Sequence, residues 1–249
     1  MREHWFDTGL FAIERGEGRP IIFFHGGLAT HAACAPFAEP LAERFRVITP
    51  DLRGSGRSHD AGPLTWAQLA DDVAALARHL GLERVCLGGV SMGSGVAVAA
   101  ALRHPALVAA LVLVHPVFAG ADVGLAPAQR AAMQAMDDAG RRAPRDGVQV
   151  LLPLFDALPE AVRARASRLI ADYDPASVAA TTRFMLEGGQ PFERGADLAA
   201  IDASAIIVPG ADPTHPAEVA EVYRRHLRRG AIAPDASSLG ELLELSWPR

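Results

Sequence analysis

The sequence predicts an α/β fold, a mostly parallel sheet with helices on both faces, and two observations carry that expectation. Short apolar runs followed closely by Gly, Pro or His alternate with longer stretches of helical spacing. Several runs are apolar without interruption, as in Ile21-Ile22-Phe23-Phe24, which suits strands covered on both faces rather than half-exposed ones. Strand and helix in alternation pair in parallel through right-handed crossovers. Ligands in such sheets bind beyond the C-terminal ends of the strands, so chemistry is sought there.

In order along the chain, strands are expected at 11–14, 21–24, 46–49, 85–87, 111–114 and 206–208, with a last strand-like segment at 230–233. Helices are expected at 36–44, at 65–80 before Gly81, at 92–103 before Pro105, and at 217–227. The gap from 118 to 204 is the longest between strands and reads as helical throughout: 127–139, 148–158, 160–173 and 176–186, punctuated by Gly140, Pro159, Pro175 and Gly188-Gly189. Pro127 suits a first helical position, whereas Pro153 would kink or split its segment. The division is a core of residues 1–117 and 205–249, with 118–204 inserted as a helical lid over the site, the alternative being an extra helical layer that only adds core. The arginines of that insertion (Arg130, Arg141, Arg142, Arg145, Arg163, Arg165, Arg168 and Arg183) read as solvated helix faces, the alternative being an anion site. Ser238-Leu239-Gly240-Glu241 fits a capping box opening a final helix.

Composition limits the function. A chain of 249 residues, 50% hydrophobic and 21% charged, has enough apolar side chain for one core and is not a disordered or collagen-like sequence. A net charge of −5 without a basic stripe points away from nucleic acid and anionic membrane and toward a small uncharged substrate. Cys34 and Cys86 form neither a disulfide framework nor a metal-ligand pattern and read as buried thiols. The N-terminal segment lacks a signal peptide's apolar core, and no run approaches a membrane span, so a cytoplasmic protein is expected. All 24 basic residues other than histidine are arginine, which suggests a GC-rich bacterial source and leaves no lysine for a Schiff base.

Ser91 sits in Gly89-Val90-Ser91-Met92-Gly93, between an expected strand and an expected helix. A sharp strand-to-helix turn needs those glycines and lifts the serine above the sheet edge, while the N–H groups opening the helix, including that of Met92, face any oxyanion formed on attack. A dinucleotide-binding loop also joins strand to helix, but its glycine spacing must be forced here and the next strand ends in His115, not an acid. His25-Gly26-Gly27 follows the strand at 21–24, where Gly27 is placed to donate a second oxyanion N–H and His25 reads as a structural hydrogen-bonding residue. The Gly-rich stretch Asp51-Leu52-Arg53-Gly54-Ser55-Gly56-Arg57-Ser58 reads as a rigid turn held by Asp51 and Arg53.

With these motifs in order and Gly210-Ala211-Asp212 downstream, the chain resembles the α/β-hydrolase superfamily over nearly its whole length, most specifically at 21–105. The resemblance implies an eight-stranded, mostly parallel sheet, a Ser, acid, His order, Ser91 as nucleophile, Asp212 as acid, and Gly27 and Met92 as oxyanion donors. That superfamily places its histidine after the last strand. Here Pro234-Asp235-Ala236-Ser237 stand in its place, and no histidine follows His226. A serine hydroxyl needs a general base. The best substitute is His215, three residues after Asp212 and before Pro216, at a helix N-terminus that favours a neutral imidazole; the alternative for it is a capping or packing role. His115 ends a strand at the same edge and is a lesser candidate. His226 reads as core-facing, and His4, His31, His59, His79 and His104 as structural or exposed. The expected function is hydrolysis of a small ester, thioester or lactone through an acyl-enzyme, without metal or cofactor. The alternative is a repurposed hydrolase fold that binds or cyclises a small molecule without a competent triad.

Overall fold

The computed structural model describes every residue except 7–8, 59–61, 157–159 and 248–249. Its sheet has eight strands: β1 (Arg2–Phe6), β2 (Leu10–Arg15), β3 (Pro20–Phe24), β4 (Arg46–Pro50), β5 (Val85–Val90), β6 (Val108–Val114), β7 (Ser204–Val208) and β8 (Gly230–Ile232). Their spatial order is β1-β2-β4-β3-β5-β6-β7-β8, antiparallel at the β1-β2 and β2-β4 pairs and parallel elsewhere. The helices are α1 (Ala35–Leu41), α2 (Trp66–His79), α3 (Met92–Arg103), α4 (Pro127–Asp146), α5 (Glu160–Ile170), α6 (Pro175–Glu187), α7 (Ala217–His226) and α8 (Leu239–Ser246).

Consecutive residues of a strand face opposite sides of the sheet, so an uninterrupted apolar run supplies two cores at once. Ile22, Phe24, Leu87, Leu111 and Leu113 join the core made with α2, α3 and α7, while Ile21, Phe23, Cys86, Val112 and Val114 join the one made with α1 and α8. Each fully buried Phe, Ile or Leu contributes about 1.5–3 kcal/mol. Helix α2 shows how a chain segment is bounded: Thr65 accepts a hydrogen bond from the Gln68 N–H at one end, Leu69, Val73 and Leu76 face the core, and Gly81 turns the chain out at φ +66°.

Parallel register places the site. Phe24 lies opposite Gly89, Val90 opposite Val114, and Val114 opposite Val208, so the segments following β3, β5, β6 and β7 leave the sheet along one edge. The Ser91 N–H donates to the Val114 carbonyl (2.9 Å) and the His115 N–H to that of Val208 (2.8 Å), extending the ladder to the turn residues.

Four expectations need correction. Strand β1 lies outside the expected set because its exposed residues, including Trp5, break any alternation; Glu14 secures it by accepting from Arg2 and pairing with His4 and Arg46. Helix α4 runs through Gly140 instead of ending there. A Cβ at that position would lie 2.1 Å from Thr182 Oγ1, so Gly140 is the point where α4 and α6 approach closely. Residues Val148–Phe155 form a 3-10 helix around Pro153 rather than an α-helix; the expected ends at 157–158, with Pro159, lie outside the described residues, as does His59. Ser238 precedes α8 but its side chain makes no capping hydrogen bond.

The segment 118–204 holds a small core of its own, Ala139, Ala143, Leu151, Ile170 and Val178. Among the described residues no helix is long and apolar enough to cross a membrane.

Candidate active site

Ser91 stands between β5 and α3 at φ 56° and ψ −119°, a conformation that costs a residue with a Cβ about 1–3 kcal/mol. Both flanking glycines are required by contact. A Cβ on Gly93 would come within 2.5 Å of the Phe24 carbonyl oxygen, and one on Gly89 within 2.4 Å of the Gly93 carbonyl oxygen. The turn is secured from below by Ser94, whose hydroxyl donates to the Ser91 carbonyl at 2.6 Å.

Among the described residues three non-glycine residues have positive φ: Leu28 (51°), Ser91 (56°) and His115 (48°). They end the segments leaving β3, β5 and β6, so backbone strain gathers along the edge where the cavity opens.

His215 Nε2 lies 2.9 Å from Ser91 Oγ, and its Nδ1 lies 2.8 Å from Asp212 Oδ2 and 3.0 Å from Oδ1. Burial alone would push the Asp212 carboxyl up. The His215 hydrogen bond and charge, with the N–H groups of Thr214 and His215, hold it below the usual carboxylate range. With Asp212 Oδ2 accepting at Nδ1, the Nε2 lone pair faces the serine hydroxyl. The acid is more open than its partner: the Asp212 side chain is 55% exposed and that of His215 18%.

His115, the lesser candidate, stacks obliquely beside His215 with ring centroids 5.9 Å apart. Burial is the first cause lowering its pKa, followed by the nearby His215, with Asp212 acting in the opposite direction. His226 ends α7 against Gly195 and does not line the cavity. In place of the histidine usual after β8, Asp235 accepts from the Ser237 N–H in a tight turn.

Gly26 touches the nucleophile's turn: a Cβ there would meet Ser91 Cβ at 3.4 Å. Gly27 is covered by Met185, whose Sδ would lie 1.9 Å from a Cβ at that position, and both residues line the same cavity as Ser91. Met92 opens α3, where an N–H has no partner four residues back. His25 is fully enclosed and structural. Its Nε2 accepts from the Leu52 N–H (3.0 Å), which requires Nδ1 to carry the proton donated to the Gly26 carbonyl (2.7 Å). Burial lowers its pKa, in keeping with that neutral ring.

The turn after β4 is held by Asp51, which accepts from the N–H groups of His31 (2.7 Å) and Arg57 (2.9 Å) and pairs with His31 Nδ1 (2.8 Å). Arg53 acts through α2 instead, in a bidentate pair with Asp72 at 2.8 and 2.6 Å. Cys34 and Cys86 are buried thiols, and burial pushes both up in pKa.

Gln129 carries a role that pattern reading did not find. Its side-chain oxygen caps α4 by accepting from the Ala126 N–H (3.0 Å), while its NH₂ donates to the carbonyls of Val117 (2.9 Å) and Thr214 (3.0 Å). One buried amide thus ties the helical segment to the loop bearing Asp212 and His215. A glutamine three residues into a helix was the available signal.

Ser91, His215, Gly27 and Met92 line a cavity of about 640 Å³. The helical segment supplies a large part of its wall, including Met133, Met136, Leu169, Ile170 and Met185. The lining is mostly apolar, with few polar groups converging at Ser91, as in sites for small organic molecules. Arg165 also lines this cavity and is half-buried, which corrects its expected place on a solvated face.

A family model described as "alpha/beta hydrolase fold" matches residues 19–189. A Streptomyces coelicolor protein named as a probable proline iminopeptidase is 32% identical over 182 residues, which is 66% of this chain and 55% of that protein. The chain spans about half or less of the length of the curated relatives it matches. A thermophilic esterase from Thermogutta terrifontis superposes with a TM-score of 0.75 at 24% identity, over 99% of this chain and 96% of that one. The enol-lactonase from Burkholderia xenovorans LB400 does so with a TM-score of 0.75 at 19% identity, over 98% and 96%.

Proposed function

The chain belongs to the α/β-hydrolase fold family, and on that premise we propose that it is a serine hydrolase cleaving a small ester, thioester or lactone through an acyl-enzyme. The observation that carries the reading is the 2.9 Å contact of His215 Nε2 with Ser91 Oγ, with Asp212 on the other ring nitrogen.

Ser91 Oγ adds to the substrate carbonyl carbon while its proton passes to His215 Nε2. Asp212 offsets the charge on the imidazolium, and the N–H groups of Gly27 and Met92 receive the negative oxygen. Collapse breaks the bond to the leaving group, which takes the proton from His215. Water then adds to the acyl-enzyme by the same route, returning Ser91 and releasing the acid. In this reading His215 replaces the histidine that the family carries after its last strand. The segment 118–204 acts as the lid, excluding bulk water from the apolar cavity.

The alternative, a repurposed fold without a competent triad, is motivated by the absent C-terminal histidine, and the His215 contact with Ser91 supports the hydrolase reading over it. Ser91→Ala is expected to abolish both ester turnover and labelling by a fluorophosphonate probe, while survival of both in this variant overturns the reading.

A further inference from the structure

Arg165 projects from α5 into the cavity that holds Ser91. Arg130 and Arg168 are exposed and lie outside the cavity lining, whereas Arg165 is half-buried and lines it. Arg141, Arg142, Arg145, Arg163 and Arg183 each pair with a carboxylate on their own helix or its end. Among the described residues Arg165 pairs with none: its one hydrogen bond is from Nη2 to the Ala32 carbonyl at 3.1 Å.

Several other polar groups of the lining are committed to one another or to the backbone. The Cys34 thiol donates to the Phe23 carbonyl, the Tyr173 hydroxyl to the Leu28 carbonyl at 2.9 Å, and His25 uses both ring nitrogens. Asp212, the acid in the lining, is bonded to His215. A guanidinium has five N–H donors in a planar fork, so Arg165 keeps donors to spare. Arg165 is half-buried with no carboxylate beside it among the described residues, and a carboxylate is the partner its geometry matches in two parallel bonds.

We propose that the cavity binds acid-bearing apolar molecules, with Arg165 taking the ligand's carboxylate. The body of such a ligand lies against Met92, Met133, Met136 and Met185, four of the chain's five methionines, whose flexible thioethers adapt to varied apolar shapes. As a statement of substrate class the inference rests on the hydrolase reading, since it sets Arg165 and Ser91 on the same molecule; as a statement of binding it does not need turnover.

The test is isothermal titration of the full-length protein with 4-phenylbutyrate and with its neutral analogue 4-phenylbutan-1-ol. The wild type is expected to bind the carboxylate about tenfold or more tightly than the alcohol, the scale of a charge-assisted hydrogen-bond pair. Arg165→Gln is expected to erase that preference with alcohol binding within about twofold of wild type, and Arg165→Lys, which keeps the charge but loses the fork, to retain part of it. Equal affinity for the two probes, binding of neither, or a preference that survives Arg165→Gln overturns the proposal. Fluorophosphonate labelling of the same samples separates the two readings. Labelling without a carboxylate preference leaves the hydrolase standing and removes this inference; a preference without labelling does the reverse.

Discussion

Asp212 and His215 face each other across a single bridge within one loop, the His215 N–H donating to the Asp212 carbonyl at 3.0 Å while their side chains pair. Both partners of Ser91 therefore leave the sheet together after β7, and errors in that loop displace both. Gly210 makes the fold-back possible, since a Cβ there would lie 2.3 Å from His215 Cβ and 2.4 Å from its carbonyl oxygen.

Gly210→Ala is accordingly expected to push His215 off Ser91. Misplacing a reacting group by about 1 Å costs on the order of a hundredfold, so kcat/KM for an ester substrate should fall at least tenfold while the far-ultraviolet spectrum stays native. Wild-type kinetics in this variant would show that the loop holds its two side chains without the glycine.

Ser91 carries strain that its side chain does not relieve. Glycine accepts φ 56°, ψ −119° at no steric cost, whereas alanine keeps the penalty of a Cβ. Ser91→Gly should unfold at a higher temperature than Ser91→Ala, by a margin equivalent to about 1 kcal/mol, with both inactive. Equal or reversed melting temperatures would remove the strain argument.

Asp51 sets an acid limit on stability. Burial alone would raise its carboxyl pKa, but the hydrogen bond and charge of His31, with the His31 N–H, hold it below the usual range. A lowered folded value means that its contribution is complete above the unfolded carboxylate pKa of about 3.9 and is lost as pH falls through the folded value. Asp51→Asn should be less stable than wild type by about 1–3 kcal/mol at neutral pH, with the gap closing below about pH 4. Denaturant titrations across that range check it, and a gap that persists unchanged at pH 3 would contradict it.

The central strands are legible because burial on both faces leaves apolar runs, and the Ser91 turn because its glycines answer contacts with Phe24 and Gly93 that any such turn must make. Strand β1 is not, since its exposed residues and edge position impose no alternation. Gly140 looks like a helix stop until α6 and Thr182 are set against it. Arg165 could not be told from its solvated neighbours, because the face a residue presents depends on where α5 docks, and helical spacing alone leaves that open. His215 lay between: its distance from Asp212 along the chain was visible, but whether the loop aims the ring at Ser91 is a tertiary fact.

That contact is the point on which the account turns. The most direct measurement is the rate of fluorophosphonate labelling of Ser91 in wild type and His215→Ala at neutral pH, with melting temperatures recorded for both. If His215 is the base, the folded variant should label at least about a hundredfold more slowly, because the hydroxyl has lost its proton acceptor. Labelling at the wild-type rate in folded His215→Ala would contradict the account.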